Sequence, residues 1–202
     1  KEILVKKLHV KYLIIGHDHV FGKNRSGNFD LLKKMAPELG FEVKQMEAVN
    51  IHATNISSTK IRTCLEEGKI EEANEMLGYP YSVSGTVIHG AKIGRTIGFP
   101  TANIQSDDLK LLPKKGAYIV DVFLENQHYH GMLSVGTNPT VDGKSLSVEV
   151  YILDFDRDIY GKHITVAFRK FLHDEIKFES LEKLIIRLEE DRRLTRRFFL
   201  EN

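Results

Sequence analysis

Cysteine occurs once in the 202 residues, at Cys64, and tryptophan does not occur at all. A single thiol excludes an intrachain disulfide framework and any cysteine-rich zinc site, and it fits a reducing compartment. Excess charge is missing too. The 29 Lys and Arg stand against 28 Asp and Glu, a net charge of +1, far from the basic surplus of a dedicated nucleic-acid binder. Any polyanion the protein holds is therefore expected to be small. Residues 1–80 carry 12 basic and 11 acidic side chains and the rest of the chain 17 of each, so neither half reads as a charged tail. No apolar run approaches the roughly 20 residues that cross a bilayer, and no hydrophobic signal segment opens the sequence. These absences point to a cytoplasmic protein with no membrane partner. What is present, 42% hydrophobic residues over this length, suffices for one to two domains with a real core.

The first third alternates in the α/β manner. Ile3, Leu4 and Leu8 share a helical face, and Tyr12 to Ile15 is a short apolar run closed by Gly16, the pattern of a buried parallel strand. Leu31, Leu32, Met35 and Leu39 then recur at helical spacing before Gly40, and FEVKQME alternates as a strand does. The chain thus reads as entered in mid-domain. A helix introduced by Ile56 to Arg62 ends at Gly68, a second runs from Ile70 to Leu77, and Gly78-Tyr79-Pro80 marks the expected domain boundary. Beyond it come short strands, Tyr81 to His89, Gly116 to Leu124, His128 to Val135, Ser147 to Leu153 and His163 to Phe168, separated by Gly, Asn and Asp turns. Such spacing suggests a small barrel. A final helix, about Ser180 to Leu200, carries Leu181, Leu184, Ile185 and Leu188 on its packed face and Glu189, Arg192, Arg193, Arg196 and Arg197 on a charged one.

Two loops concentrate chemistry. In Ile56-Ser57-Ser58-Thr59-Lys60-Ile61-Arg62 three hydroxyls coincide with a helix start and two cations follow. Free N–H groups and positive partial charge there suit a nucleotide phosphate, but the same residues also suit an ordinary N-cap. Upstream, Gly16-His17-Asp18-His19-Val20-Phe21-Gly22 follows the first strand, placing Asp18 at the carboxyl end of a parallel sheet, where ligands bind. The second loop, within GTVIHGAKIGRTIGFPTANI from Gly85 to Ile104, has four glycines in its first fourteen residues, with Lys92 and Arg95 among them. That composition lets backbone approach a phosphate chain, yet it is neither a Walker loop nor G-x-G-x-x-G. On an extended segment Thr101 and Asn103 share a face and offer two neutral oxygens of the kind magnesium takes beside substrate phosphates. A glycine-rich barrel turn whose Thr and Asn bond their own backbone fits the same letters.

The glycine-rich sequence, with Gly136-Thr137-Asn138-Pro139-Thr140, Val148-Glu149-Val150-Tyr151 and Tyr160-Gly161, closely resembles the flavokinase module of the bifunctional prokaryotic riboflavin kinase/FAD synthetase family, over about Tyr79 to Arg192. GHDHVFG and ISSTKIR resemble the later half of that family's FMN adenylyltransferase domain. The resemblance implies residues 1–78 as part of a Rossmann-like nucleotidyltransferase domain, and residues 79–202 as a six-stranded riboflavin kinase barrel with a C-terminal helix. It implies transfer of the γ-phosphoryl of ATP to the 5′-hydroxyl of riboflavin, giving FMN and ADP, with Mg2+ as metal. The family's ATP-binding loop falls on Gly90, Lys92, Gly94, Arg95 and Gly98, and its Mg–ATP motif on Pro100, Thr101, Ala102 and Asn103. Glu149 takes the general-base position and Asn138 and Thr140 support the site; Glu175 and Phe178 are placed near the flavin. Asp18, Ser57, Ser58, Thr59 and Arg62 are the implied nucleotide contacts of the adenylyltransferase half.

There are two departures from the family. Its adenylyltransferase half opens with G-x-F-D-G-x-H-x-G-H, which these 202 residues do not contain, so the motif is expected to precede Lys1 in the full protein and the chain as it stands to make no FAD. Where the family usually reads L-R-x-E-x-x-F, this chain has His173 in the arginine's place. The pairs His17/His19 and His128/His130 could each point to one strand face, but neither has a nearby Cys or a clear third ligand, so no zinc is expected. Cys64 reads as a small packed residue. The Arg192 to Arg197 cluster reads as a solvated face, with Phe198 and Phe199 packed. The rival classes are a single-strand-binding barrel, which the charge balance opposes, and a non-catalytic scaffold.

Overall fold

A computed structural model gives the structure of the chain over residues 2–47, 50–51, 54–140 and 143–201. It falls into two compact units, Lys1–Ile56 and Ser57–Asn202.

In the first unit a π-helical turn, Glu2–Lys7, leads to β1 (Tyr12–Ile15), α1 (Phe29–Leu39) and β2 (Glu42–Gln45), with β1 and β2 parallel, and to a small hairpin of β3 (Asn50–Ile51) and β4 (Thr54–Asn55). The α/β alternation follows the sequence pattern. Asn28 caps α1 by accepting the Leu31 N–H at 3.0 Å, and Gly40 ends it at φ 70°, a left-handed conformation. Burial differs from the expected pattern. Ile15 is buried, but Tyr12 and Ile14 are 70% and 63% exposed, because a sheet of two strands has a face with no layer over it. On α1 the buried residues are Leu32 and Ala36, while Leu31 is 40% exposed.

The second unit opens with α2 (Ser58–Glu67) and α3 (Ile70–Leu77), then β5 (Ser82–Ile88), the single turn α4 (Ile93–Thr96), β6 (Ala102–Ser106), β7 (Gly116–Leu124), β8 (Gln127–Thr140), β9 (Gly143–Ile152), β10 (His163–Asp174) and α5 (Leu181–Glu201). The six strands close into an antiparallel barrel in the order β10-β5-β6-β9-β8-β7. β6 supplies the strand that the hydrophobic pattern alone did not mark: ANIQS buries only Ala102 and Ile104, too short an alternation to read by itself. β10 runs on past Phe168 to Asp174 through two register shifts against β7, so Phe171 and His173 are strand residues. Inside the barrel, alternate residues interdigitate: Val83, Val87, Ile104, Tyr118, Val120, Val122, Leu133, Val150, Ile164, Val166 and Phe168 are all buried.

The helices before the strands share this core. Leu65, Ile70 and Ala73 are as buried as the barrel residues and cluster with them. Asn74 donates from Nδ2 to the Phe168 carbonyl at 2.8 Å and accepts the Tyr81 N–H at 2.7 Å. α2 and α3, placed N-terminal to the Gly78 boundary by the sequence pattern, thus pack on the barrel. At the other end, α5 is not a purely solvated charged face. Its Asp191 is 4% exposed and bonds His173 Nε2 at 2.9 Å, and Thr195 is fully buried. Among the described residues no helix is long and apolar enough to cross a membrane.

Candidate active site

The glycine-rich loop joins two hydrogen-bonded neighbours. β5 and β6 are antiparallel with Ile88 opposite Asn103, so the chain leaves the barrel rim after Ile88 and returns beside its point of departure. The turn between is fixed from within. The Phe99 N–H donates to the Gly94 carbonyl at 2.8 Å, and the Phe99 side chain, 2% exposed, anchors the loop. Arg192 of α5 lies over the Phe99 ring, 5.2 Å from its centre. Two glycines are required by space: a Cβ on Gly90 would overlap the Asn103 amide, and one on Gly94 would overlap the Phe99 carbonyl oxygen. Gly98 is required by its φ of 83°. Lys92 also has positive φ, 59°, and its ammonium stands 5.8 Å from the Tyr160 ring centre. Tyr160 in turn packs on His89 with ring centres 3.9 Å apart.

At the loop's return the polar residues meet. Thr101 Oγ1 donates to Glu149 Oε2 at 3.1 Å. Asn103 and Glu149 are directly opposite on β6 and β9, and the flanking Ala102, Ile104, Val148 and Val150 point into the core, so Thr101, Asn103 and Glu149 share the outward face of two paired strands. All three side chains are half-buried. The Thr101 hydroxyl hydrogen is committed to the carboxylate, which leaves its oxygen lone pairs, and the second carboxylate oxygen of Glu149, free for other partners.

Two cavities adjoin this row, and a third shares a wall with one of them. One of about 460 Å³ is lined by Arg95, Pro100, Thr101, Arg157, Asp158 and Tyr160 among others. A second of about 720 Å³ includes Asn103, Ile88, Leu146 and Ser147. A third of about 520 Å³ includes Glu175, Lys114 and again Leu146. Each is in the size range of a small-molecule site. Thr101 and Arg95 thus face one cavity and Asn103 the next, with Leu146 shared between the second and third.

The remaining expected site residues are placed as follows. Glu175 follows β10 and accepts the Thr137 N–H at 3.4 Å. Phe178 is half-buried ahead of α5 and does not line the Glu175 cavity. Asn138 and Thr140 lie outside the described side chains. Ser57 is the N-cap of α2, its Oγ accepting the Lys60 N–H at 3.3 Å, so the cap pattern is realised; Ser58, Thr59 and Arg62 occupy the next two turns. Asp18 stands in the turn after β1 with its side chain 76% exposed, 3.8 Å from His17 Nδ1. Cys64 packs against the core cluster, and burial pushes its thiol up from the usual cysteine range. Sequence reasoning missed Arg157 and Asp158 of the first cavity, which sit in a polar turn with no periodicity to mark them.

A closed six-stranded antiparallel barrel, with a glycine- and cation-bearing rim loop closing on a hydroxyl, an amide and a carboxylate beside two cavities, defines a compact barrel module. The riboflavin kinase family model matches residues 77–199, and the chain belongs to that family. The FAD synthetase family model matches residues 1–60. Among relatives, the bifunctional riboflavin kinase/FMN adenylyltransferase of Listeria monocytogenes is 46% identical over 193 residues, 95% of this chain and 61% of that protein. The protein of the same name from Escherichia coli is 40% identical over 199 residues, 98% of this chain and 63% of its own length. The chain thus spans about three fifths of these relatives. The crystal structure of a macrolide-efflux protein from Streptococcus pneumoniae matches with a TM-score of 0.82 at 36% identity, covering 95% of this chain and 62% of that one.

Proposed function

We propose that the barrel transfers the γ-phosphoryl group of ATP to the 5′-hydroxyl of riboflavin, yielding FMN and ADP. The observation that carries this reading is the Thr101–Glu149 hydrogen bond at 3.1 Å, with Asn103 opposite Glu149, at the base of the glycine-rich loop. Phosphoryl transfer asks a protein mainly for positioning and charge neutralisation, and for an acceptor of the hydroxyl proton. Glu149 is that acceptor: one carboxylate oxygen is held by Thr101 and the other receives the proton as the riboflavin oxygen attacks phosphorus and ADP leaves. Backbone around Gly90, Gly94 and Gly98, with Lys92 and Arg95, cradles the triphosphate from the side of the Arg95 cavity, and Pro100 fixes the loop's return. The isoalloxazine is assigned to the Asn103 side, towards Leu146, Glu175 and Phe178.

The donor set at Thr101 and Asn103, a hydroxyl and an amide oxygen, fits Mg2+ and not a softer ion. When bound there, the ion would neutralise phosphate charge. Residues 1–78 are assigned to the later part of an FMN adenylyltransferase half, with Asp18 in the first unit and Ser57, Ser58, Thr59 and Arg62 in the second as separate candidate nucleotide contacts, and the adenylylation of FMN to FAD to the whole protein. The single-strand-binding and scaffold alternatives are not favoured, since the family match spans the entire barrel.

The test is direct. The chain, incubated with riboflavin and Mg–ATP, is expected to form FMN and ADP in equal amounts, read by chromatography of the flavins and nucleotides. Absence of FMN from folded protein overturns the reading.

A further inference from the structure

The β7–β8 hairpin carries one more set of chemistry-bearing side chains, distinct from the row of Thr101, Asn103 and Glu149. Asp121 is directly opposite His130, and Phe123 directly opposite His128. The three polar residues therefore share one face of a single two-stranded ribbon, on the side away from the inward-pointing Val120 and Val122. The turn between the strands, Glu125-Asn126, has both residues at positive φ, 54° and 65°, the tight kind that fixes hairpin register. Asp121 is 7% exposed within the otherwise apolar strand GAYIVDVFL. A carboxylate so desolvated requires compensating partners. Its Oδ1 receives two imidazoles, His128 Nε2 at 2.8 Å and His130 Nδ1 at 3.2 Å, while Oδ2 faces Arg169 Nε at 3.6 Å.

Both imidazoles are held in orientation by aromatic neighbours. His128 stacks on Phe123 with ring centres 4.9 Å apart and planes 11° from parallel, and His130 on Phe199 of α5 at 3.6 Å and 22°. We propose that Asp121, His128 and His130 form a binding site for a divalent transition ion of the zinc class, with solvent at the remaining coordination position. One ligand atom from each residue lies within 4.8 Å of the others. Zinc bonds of about 2.1 Å in a tetrahedral arrangement place ligand atoms about 3.4 Å apart. The His130 separation is close to this, and the His128 separation has to open slightly. The 49% and 39% exposure of the two histidine side chains leaves room for that adjustment and for water. Arg169 then serves the second carboxylate oxygen, the kind of outer contact that orients a metal-binding carboxylate. Two imidazoles and one carboxylate select zinc over magnesium, which separates this site from the all-oxygen pair at Thr101 and Asn103. A bound ion would clasp the hairpin and, through His130 and Phe199, the end of α5.

Equilibrium dialysis of the full chain against Zn2+ in the presence of excess Mg2+, followed by elemental analysis, is expected to give one zinc per chain. Changing His128→Asn and His130→Asn together is expected to abolish that stoichiometric binding, and Asp121→Asn, which replaces an anionic ligand by a neutral amide, to weaken it. The pair His17→Gln and His19→Gln is expected to leave it unchanged. Histidine modification by diethylpyrocarbonate, mapped by mass spectrometry on the unaltered chain, gives a readout that does not depend on any variant folding: Zn2+ is expected to protect His128 and His130. No bound zinc, zinc retained by the His128/His130 double variant, or modification of those two histidines undiminished by Zn2+ would each overturn the site.

Discussion

Glu149 and Gly90 show how much of the proposed chemistry rests on single atoms. Glu149→Gln preserves the side-chain shape and still offers an oxygen to the Thr101 hydroxyl, 3.1 Å away in the native site, but it cannot take up the proton. Riboflavin binding, followed by flavin fluorescence, is expected to persist while turnover falls about 10²–10⁴-fold, roughly 3–5 kcal/mol of barrier. Near-normal turnover would remove Glu149 from the mechanism. Gly90 acts through space it leaves empty, because a methyl group there would overlap the Asn103 amide. Gly90→Ala is therefore expected to displace Asn103 and lower kcat/KM for Mg–ATP by up to about a hundredfold, with part of the loss recovered at high Mg2+ and the melting temperature little changed. At this scale the sequence was most readable where a residue type is forced. Gly94, Gly98, Thr101 and Glu149 could be picked out by resemblance, and the structure sets Thr101, Asn103 and Glu149 on one face. Asp121 escaped notice because it acts with residues across a hairpin turn. Its signal was nonetheless printed in the chain, as one carboxylate inside the apolar run of β7.

Between elements, α5 and β10 are joined by a contact that neither hydrophobic pattern reveals. His173 Nε2 bonds Asp191 Oδ2 at 2.9 Å, its Nδ1 contacts the Asp174 carbonyl at 2.8 Å, and Arg187 Nε stands 3.0 Å from the other Asp191 oxygen. Helical periodicity put the Arg192 to Arg197 cluster on a solvated face because it counts charges without seeing what faces them, whereas the adjoining Asp191 is 4% exposed and Thr195, within the cluster, is fully buried. The departure from the family's usual arginine at position 173 thus has a structural partner. His173→Ala removes one of the two side chains that meet a buried carboxylate and is expected to cost about 1–3 kcal/mol of stability by chemical denaturation. His173→Arg, which can still reach Asp191 with a charged donor, is expected to lose less. An alanine variant as stable as the parent would show that Arg187 alone satisfies Asp191. Element boundaries followed the same logic. α1, α3, β5 and β7 carried regular alternation or clear glycine stops and were legible. α4 and β6, four and five residues long, are too short to show a period and are set by the loop and by pairing with β5 and β9.

At the scale of the whole chain, the point at which a working kinase fragment begins depends on packing more than on where its chemical groups start. Every residue assigned to phosphoryl transfer lies beyond Gly78, and the riboflavin kinase match begins at residue 77, so a fragment 79–202 would contain all the chemistry. It would lack Leu65, Ile70 and Ala73, which are 1%, 0% and 0% exposed in the barrel's own core cluster, and the two Asn74 hydrogen bonds to Phe168 and Tyr81. The Lys114 N–H, which donates to the Leu65 carbonyl at 2.9 Å, would also lose its partner. Burial of the Leu and Ile side chains at about 1.5–3 kcal/mol each, with the Asn74 bonds at about 0.5–1.5 kcal/mol each, amounts to roughly 4–9 kcal/mol. That is comparable to the entire stability of a typical domain, about 5–15 kcal/mol. The fragment 57–202 retains all of these contacts and coincides with the second compact unit. It is expected to unfold cooperatively near the melting temperature of that unit in the full chain and to form FMN at a similar kcat. The fragment 79–202 is expected to be largely unfolded or insoluble, with little FMN formed unless riboflavin and Mg–ATP are present in excess to draw the folded state forward. Equal melting temperatures for the two fragments would show that α2 and α3 add nothing to the barrel, and would place the functional boundary at Gly78 after all.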